Sequence, residues 1–282
     1  GTNDTGGTII APTIAFGSGT GAINFNQSNA VTITSAISGN GVVNQLGTGT
    51  TTLSGANTYT RGTVVSAGSL VGTTTSLQGA ITNNAAVTFD QSTDGTYSGA
   101  MSGSGSLSKT GIGRLSLSGS SSYNGATAVS AGDLNLSGGS IANSAVTVAS
   151  GASLSGYGSV GTIGGAGAIN PGNSPGILTT PQVDPSGGTD FNLEMTGTAP
   201  TYNNASNSVN DVIRITGAPP FSQALAAGNG VFIYFSGAAL FTGSTAVQYQ
   251  GGFFTDQSAS FASSISGATY NYYFANTNGP TT

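Results

Sequence analysis

Apolar and polar positions alternate in short bursts along the first part of the chain. Thr50-Thr-Thr-Leu53, Thr63-Val-Val65, Arg114-Leu-Ser-Leu117 and Ala145-Val-Thr-Val148 each read as a strand of a few residues. Between such bursts stand Gly-Asn-Gly, Ser-Gly-Ala-Asn and Ser-Ala-Gly, which supply the positive φ and the side-chain turn bonds that sharp corners need. No apolar run approaches the ~18 residues that span a bilayer, so no transmembrane segment is expected. The longest runs are Val231 to Phe235 and Ala238 to Phe241.

The bursts repeat. Sliding the chain on itself until Leu53 meets Leu117, an offset of 64, lays Leu53-Ser-Gly-Ala-Asn-Thr-Tyr59 over Leu117-Ser-Gly-Ser-Ser-Ser-Tyr123. The same offset lays Thr63-Val-Val-Ser-Ala-Gly-Ser-Leu70 over Thr127-Ala-Val-Ser-Ala-Gly-Asp-Leu134. The rarer residues Phe, Tyr, Leu and Val keep register too, which a biased composition alone does not explain. Short strands, tight corners and a fixed repeat predict a right-handed parallel β-solenoid (β-helix) over residues 1–180, with repeats at about 21–84 and 85–148. A coil of ~20 to 22 residues would make each repeat three coils and the whole about eight, roughly 40 Å long at ~4.8 Å per coil.

Composition then acquires a reason. Of 282 residues, 5% are charged and 47 are Gly. Identical positions stack from coil to coil, where Thr, Ser and Asn form ladders and repeated charges would repel. Net charge is -5, and the four basic residues, Arg61, Lys109, Arg114 and Arg214, are scattered, so no stripe exists to bind nucleic acid. His and Cys are absent, which removes the usual general base, the thiolate nucleophile and the commonest zinc ligands. No cofactor, no metal and no enzymatic activity are expected. With so little to titrate, folding should be nearly independent of pH between about 5 and 9.

Residues 49–70 and 107–119, with Gly-Thr-Thr-Thr-Leu-Ser-Gly-Ala-Asn-Thr-Tyr and Leu-Ser-Lys-Thr-Gly-Ile-Gly-Arg-Leu-Ser-Leu-Ser-Gly, resemble the autotransporter-associated β-strand repeat of bacterial passenger domains. Gly164-Gly-Ala-Gly-Ala-Ile-Asn-Pro-Gly-Asn-Ser-Pro-Gly-Ile-Leu178 is similar to the segment that often closes such arrays. The resemblance implies a secreted, extracellular or cell-surface protein. It also suggests the shorter relatives that end in a removable sorting segment in place of a translocator barrel. A start at Gly1 without Met is what a mature chain after signal removal would show.

After residue 180 the texture changes. Fifteen of the 22 aromatic residues fall between Phe191 and Phe274, among turn-forming Gly, Asn and Pro. Residues 181–282 are expected to form a compact, mainly antiparallel β domain that caps the solenoid end. There Tyr249, Tyr270, Tyr272 and Tyr273 are candidates for stacking sugars or for packing an interface.

Chemistry is thin elsewhere. Gly172-Asn-Ser174-Pro-Gly176 matches the hydrolase pattern G-x-S-x-G, but a serine needs an adjacent base, and the single lysine, Lys109, lies in a distant repeat, so a turn is expected. Asp190 and Glu194 share a strand face with Asn192, and a solvated face is the expected reading. Asp90, Asp94 and Asp133 beside Arg61, Lys109 and Arg114 fall short of a polysaccharide-lyase cluster. Near the start, Thr8-Ile-Ile-Ala-Pro-Thr-Ile-Ala-Phe16 reads as a strand that forms the first coil or, with Ile9, Ile10, Ile14 and Phe16, an assembly strand. The preferred function is a self-associating subunit of an extracellular fibre, sheath or matrix, joined head-to-tail through strand edges, with itself as partner. The alternative is an adhesin or carbohydrate-binding module on a solenoid stalk, with glycans as partners.

Overall fold

The computed structural model of the protein describes residues 11–172, 176–184, 187, 189–194, 212–215, 232–236, 275–276 and 279–280. Among these the chain winds as a parallel β-solenoid of about 8 turns, visiting three sides in a fixed order. The middle side is continuous: Val31–Ile33, Thr50–Leu53, Ser69–Gly72, Ala86–Asp90, Ser106–Thr110, Thr127–Val129, Val146–Val148, Ile163–Gly165 and Val183–Asp184 pair in sequence, all parallel. The first side starts with Gly21–Phe25, Gly41–Gln45, Thr63–Val65, Ile81–Asn83 and Met101–Ser102. The third side is held by Thr13–Ala15, Ala36–Gly39 and Thr58–Tyr59 early on. Later it is held by Gly95–Tyr97, Arg114–Leu117, the first parts of Asp133–Ile141 and Ser153–Val160, and Ala168–Pro171.

Alternation decides which residues fill the interior. Gly41–Gln45 runs buried, half-buried, buried, and Arg114–Leu117 runs exposed, buried, half-buried, buried, so Val43, Leu115 and Leu117 enter the core while their neighbours face out. One residue can turn a corner, as Asn40 does between Ala36–Gly39 and Gly41–Gln45, because Gly39 takes φ 92°.

These tight corners shorten the coil. The steps between successive partners on the middle side, Val31, Thr51, Leu70, Val87, Leu107 and Thr127, run from 17 to 20, at or below the lower end of the 20 to 22 expected. An offset of 64 therefore covers three coils plus one side, and the repeat is not a whole number of coils. Val43 lies on the first side, paired with Ile23 and Thr63, whereas its equivalent Leu107 lies on the middle side, paired with Val87 and Thr127. Leu53 and Ser69–Gly72 sit on the middle side; Leu117 and the start of Asp133–Ile141 sit on the third. Each repeat is thus rotated one side about the axis relative to the one before it.

Local contacts survive that rotation. Ile37 N donates to Asn57 Oδ1 at 2.8 Å, and at the equivalent place in the next repeat Met101 N donates to Ser121 Oγ at 3.0 Å. The Tyr59 and Thr63 hydroxyls are 2.7 Å apart, and those of Tyr123 and Thr127 are 2.6 Å apart.

The boundary near residue 180 does not end the parallel stacking. Val183–Asp184 continues the middle side, Asp190–Glu194 pairs with Ala168–Pro171 and then with Phe232–Ser236, and Val212–Ile215 pairs with Ile177–Thr180, all in parallel. Among the described residues after 180, the antiparallel pair is Ala275–Asn276 with Gly279–Pro280. The remainder of the expected antiparallel domain lies outside the described residues.

Candidate functional site

Lys109 belongs to the interior. It lies on Ser106–Thr110 between inward-facing Phe89 and Val129, is 0% exposed, and donates from Nζ to the carbonyl oxygens of Thr110 (2.8 Å), Gly111 (2.8 Å) and Ala131 (3.1 Å). Its apolar stem fills the core while the ammonium satisfies corner carbonyls. Burial pushes its pKa below the ordinary lysine value, against the opposing pull of Asp133, Asp90 and Asp94. One repeat earlier, the equivalent Gln45 sits between Phe25 and Val65 and donates from Nε2 to Gly47 O (2.8 Å) and Gly49 O (3.1 Å). Lys109 is thus tied into the structure and is not available as a base.

The most elaborate polar arrangement lies on the outer face of the third side. There Asp133 accepts from Arg114 Nε (2.8 Å), Ser153 Oγ (2.8 Å) and Ser155 Oγ (2.7 Å), drawing three successive coils together. Asn135 donates to Ser155 Oγ and accepts from Ser137 Oγ, each at 2.7 Å. Arg114–Asp133 is the ion pair among the described residues, with side chains 49% and 16% exposed. Asp90 instead accepts from Thr110 Oγ1 and Asp94 caps the backbone N–H of Arg114, so the acidic residues of the repeats do not converge.

Asn135 and Ser155 point away from the interior yet are only 1% and 7% exposed, and both are among the lining residues of a cleft. Its volume is about 520 Å³, and Arg114, Asp133, Asn170 and Gly172 are among its lining residues. Gly172 forms one wall by bonding antiparallel to Gly156: Gly172 N donates to Gly156 O (2.7 Å) and Gly156 N to Gly172 O (3.2 Å). The pairing of Asp133–Ile141 with Ser153–Val160 also shifts register between Ser137 and Ser140. Tyr157, which pairs with Ser137 of the lining, is 46% exposed.

The residues singled out in the sequence fall elsewhere. Ile14 and Phe16 belong to the first described coil: Thr13–Ala15 pairs with Ala36–Gly39, and Phe16 N donates to Ser38 O at 2.9 Å. The Phe16 ring rests against Gly21 and Gly41, where a Cβ would collide with it. Ile9, Ile10, Ser174, Tyr249, Tyr270, Tyr272 and Tyr273 lie outside the described residues. Asp190 and Glu194 stand on the expected strand, with Asn192 between them donating to Asn170 Oδ1 at 2.6 Å. The cleft was not legible in the sequence because its members are brought together only by the stacking of successive coils. A polar Ser/Asn row looks like any solvated face until a wall rises beside it.

Among the described residues no three His, Cys, Asp or Glu side chains cluster to hold a metal, and no helix is long and apolar enough to cross a membrane. No curated protein and no solved structure matches the chain. A family model described as Passenger-associated-transport-repeat matches residues 43–71 and 107–136. These two segments begin at equivalent positions of the internal repeat, one on the first side at Val43 and the other on the middle side at Leu107. Two copies of this repeat, wound into a β-solenoid, fit a repeat protein of the autotransporter passenger type.

Proposed function

We propose that the chain is a structural, non-catalytic protein that self-associates end to end into an extracellular fibre, sheath or matrix. The observation that carries this reading is the first described coil. Its strands Thr13–Ala15, Gly21–Phe25 and Val31–Ile33 each pair on one edge with the next coil, and among the described residues nothing pairs with the other edge. Ile14, Phe16, Ile23 and Val31 line that end only partly buried, in contrast to the interior positions below them. Unpaired parallel edges beside apolar side chains template a further coil, and a second copy supplies one by β-augmentation. With 5% charged residues there is little repulsion to oppose stacking.

Sedimentation of the purified protein, with negative-stain images, tests the reading. Filaments or oligomers are expected, and they should be lost when residues 1–16 are deleted. A strict monomer at high concentration, or filaments of unchanged abundance after the deletion, would overturn it.

A further inference from the structure

We propose that the third-side cleft is a binding site for neutral carbohydrate. Several departures from a regular solenoid gather at this place. The register shift between Ser137 and Ser140, the antiparallel Gly156–Gly172 bridge, the Arg114–Asp133 pair and the half-exposed ring of Tyr157 all fall within a few coils of each other. A rod needs none of them to stack, since elsewhere its outer ladders are simple pairs such as Asn24 with Asn44.

The chemistry of the lining selects the ligand class. A volume of about 520 Å³ lies in the range of small-molecule sites. The floor is made of hydroxyl and amide groups held rigid by mutual hydrogen bonds: Asn135 through Ser155 and Ser137, and Ser155 through Asp133. Around this buried floor the half-buried Ser116, Ser137, Ser153 and Asn170 carry hydroxyl and amide groups that both donate and accept, which suits the vicinal hydroxyls of a sugar. The Arg114 charge is balanced by Asp133, so the described lining holds no unbalanced cation with which to prefer an anion. It also lacks the apolar side chains a lipid would need. Tyr157 pairs with Ser137 of the lining and lies outside the lining itself, its ring passing beside Gly138; at 46% exposed it leaves a free side on which the apolar face of a pyranose reaching past the rim can stack. Coils spaced ~4.8 Å apart present polar groups at regular intervals along the axis, which favours an extended oligosaccharide lying parallel to it.

The test is titration calorimetry of the full chain with neutral oligosaccharides of glucan, mannan and galactan type, and with uronic-acid oligomers as the charged comparison. Saturable binding of at least one neutral series is expected, weakened at least tenfold in Tyr157→Ala and severalfold in Arg114→Gln. Both side chains are about half exposed, so neither variant should perturb folding, and circular dichroism checks this. Absence of saturable binding at millimolar sugar, binding of acidic oligomers alone, or neutral binding that both variants leave unchanged would each overturn the proposal. Sedimentation of the two variants should match the parent chain, so a failure of end-to-end assembly leaves this result readable on its own.

Discussion

Lys109 stands between Phe89 and Val129 inside the coil as Gln45 stands between Phe25 and Val65, one repeat earlier and one side away. Both turn a polar tip onto corner carbonyls, one with an ammonium and the other with an amide. The position therefore requires a long donor and tolerates its charge. Lys109→Gln should keep the fold with a loss of no more than about 1 kcal/mol. Lys109→Met, which leaves buried carbonyls unpaired, should cost about 2–4 kcal/mol. Urea unfolding of the two variants decides between these; equal losses would show that stem volume alone matters.

The pH dependence of stability should bend twice on the alkaline side. Lys109 has its folded pKa lowered, so between that value and about 10.5 the unfolded chain binds more protons and stability rises with pH. Tyr59, Tyr97 and Tyr123 have theirs raised by burial, Tyr123 to about 12. Their contribution is complete below the unfolded value of about 10 and is lost as pH climbs through the folded values. Chemical denaturation from pH 7 to 12 should show the rise disappear in Lys109→Gln. Phenolate absorbance of these three tyrosines should appear only with unfolding.

Tyr59→Phe and Tyr123→Phe should not cost the same, although both remove a hydroxyl facing a threonine. Gln78 N donates to Tyr59 Oη at 3.1 Å and would be stranded, whereas Thr127 keeps Ser144 as a partner at 2.7 Å. The first change should cost about 2 kcal/mol and the second about 1 kcal/mol. Thermal unfolding of the two single variants checks the order.

Corner glycines can be separated into two kinds. Gly132 has φ 66°, and a Cβ there would meet Gly113 O at 2.6 Å and Gly111 O at 2.7 Å, backbone atoms of the coil beneath. Gly151 has φ 80° with nothing within 4 Å. Gly151→Ala should therefore cost only the backbone term of about 1–2 kcal/mol. Gly132→Ala should exceed it clearly or fail to fold, as expression and melting measurements of both variants will show.

Much of the solenoid was readable in the sequence, because inward positions such as Val43, Leu53, Leu107 and Leu117 alternate with small polar ones and recur at a fixed distance. The rotation of the repeat was not readable. An offset of 64 says how far apart two like segments lie along the chain, but the number of turns between them depends on corners as short as Asn40. The parallel pairing of Val183–Asp184 and Asp190–Glu194 was hidden for a related reason: neither segment repeats an earlier one, so only stacking reveals them as further coils. Lys109 looked like an isolated cation because backbone carbonyls, its acceptors, leave no mark in a sequence. The cleft around Asp133 depends on neighbours from Arg114 and Ser155, each about one coil away, whereas the repeat directs attention to segments three coils apart.

A repeat of three coils and one side behaves as a crank. Inserting one more copy would lengthen the rod by roughly 16 Å at ~4.8 Å per coil and also swing everything beyond it by a third of a revolution. Three insertions would be needed before the distal end faced its original direction again. In this architecture reach and bearing are coupled, so changes in repeat number select among three headings for whatever the far end carries.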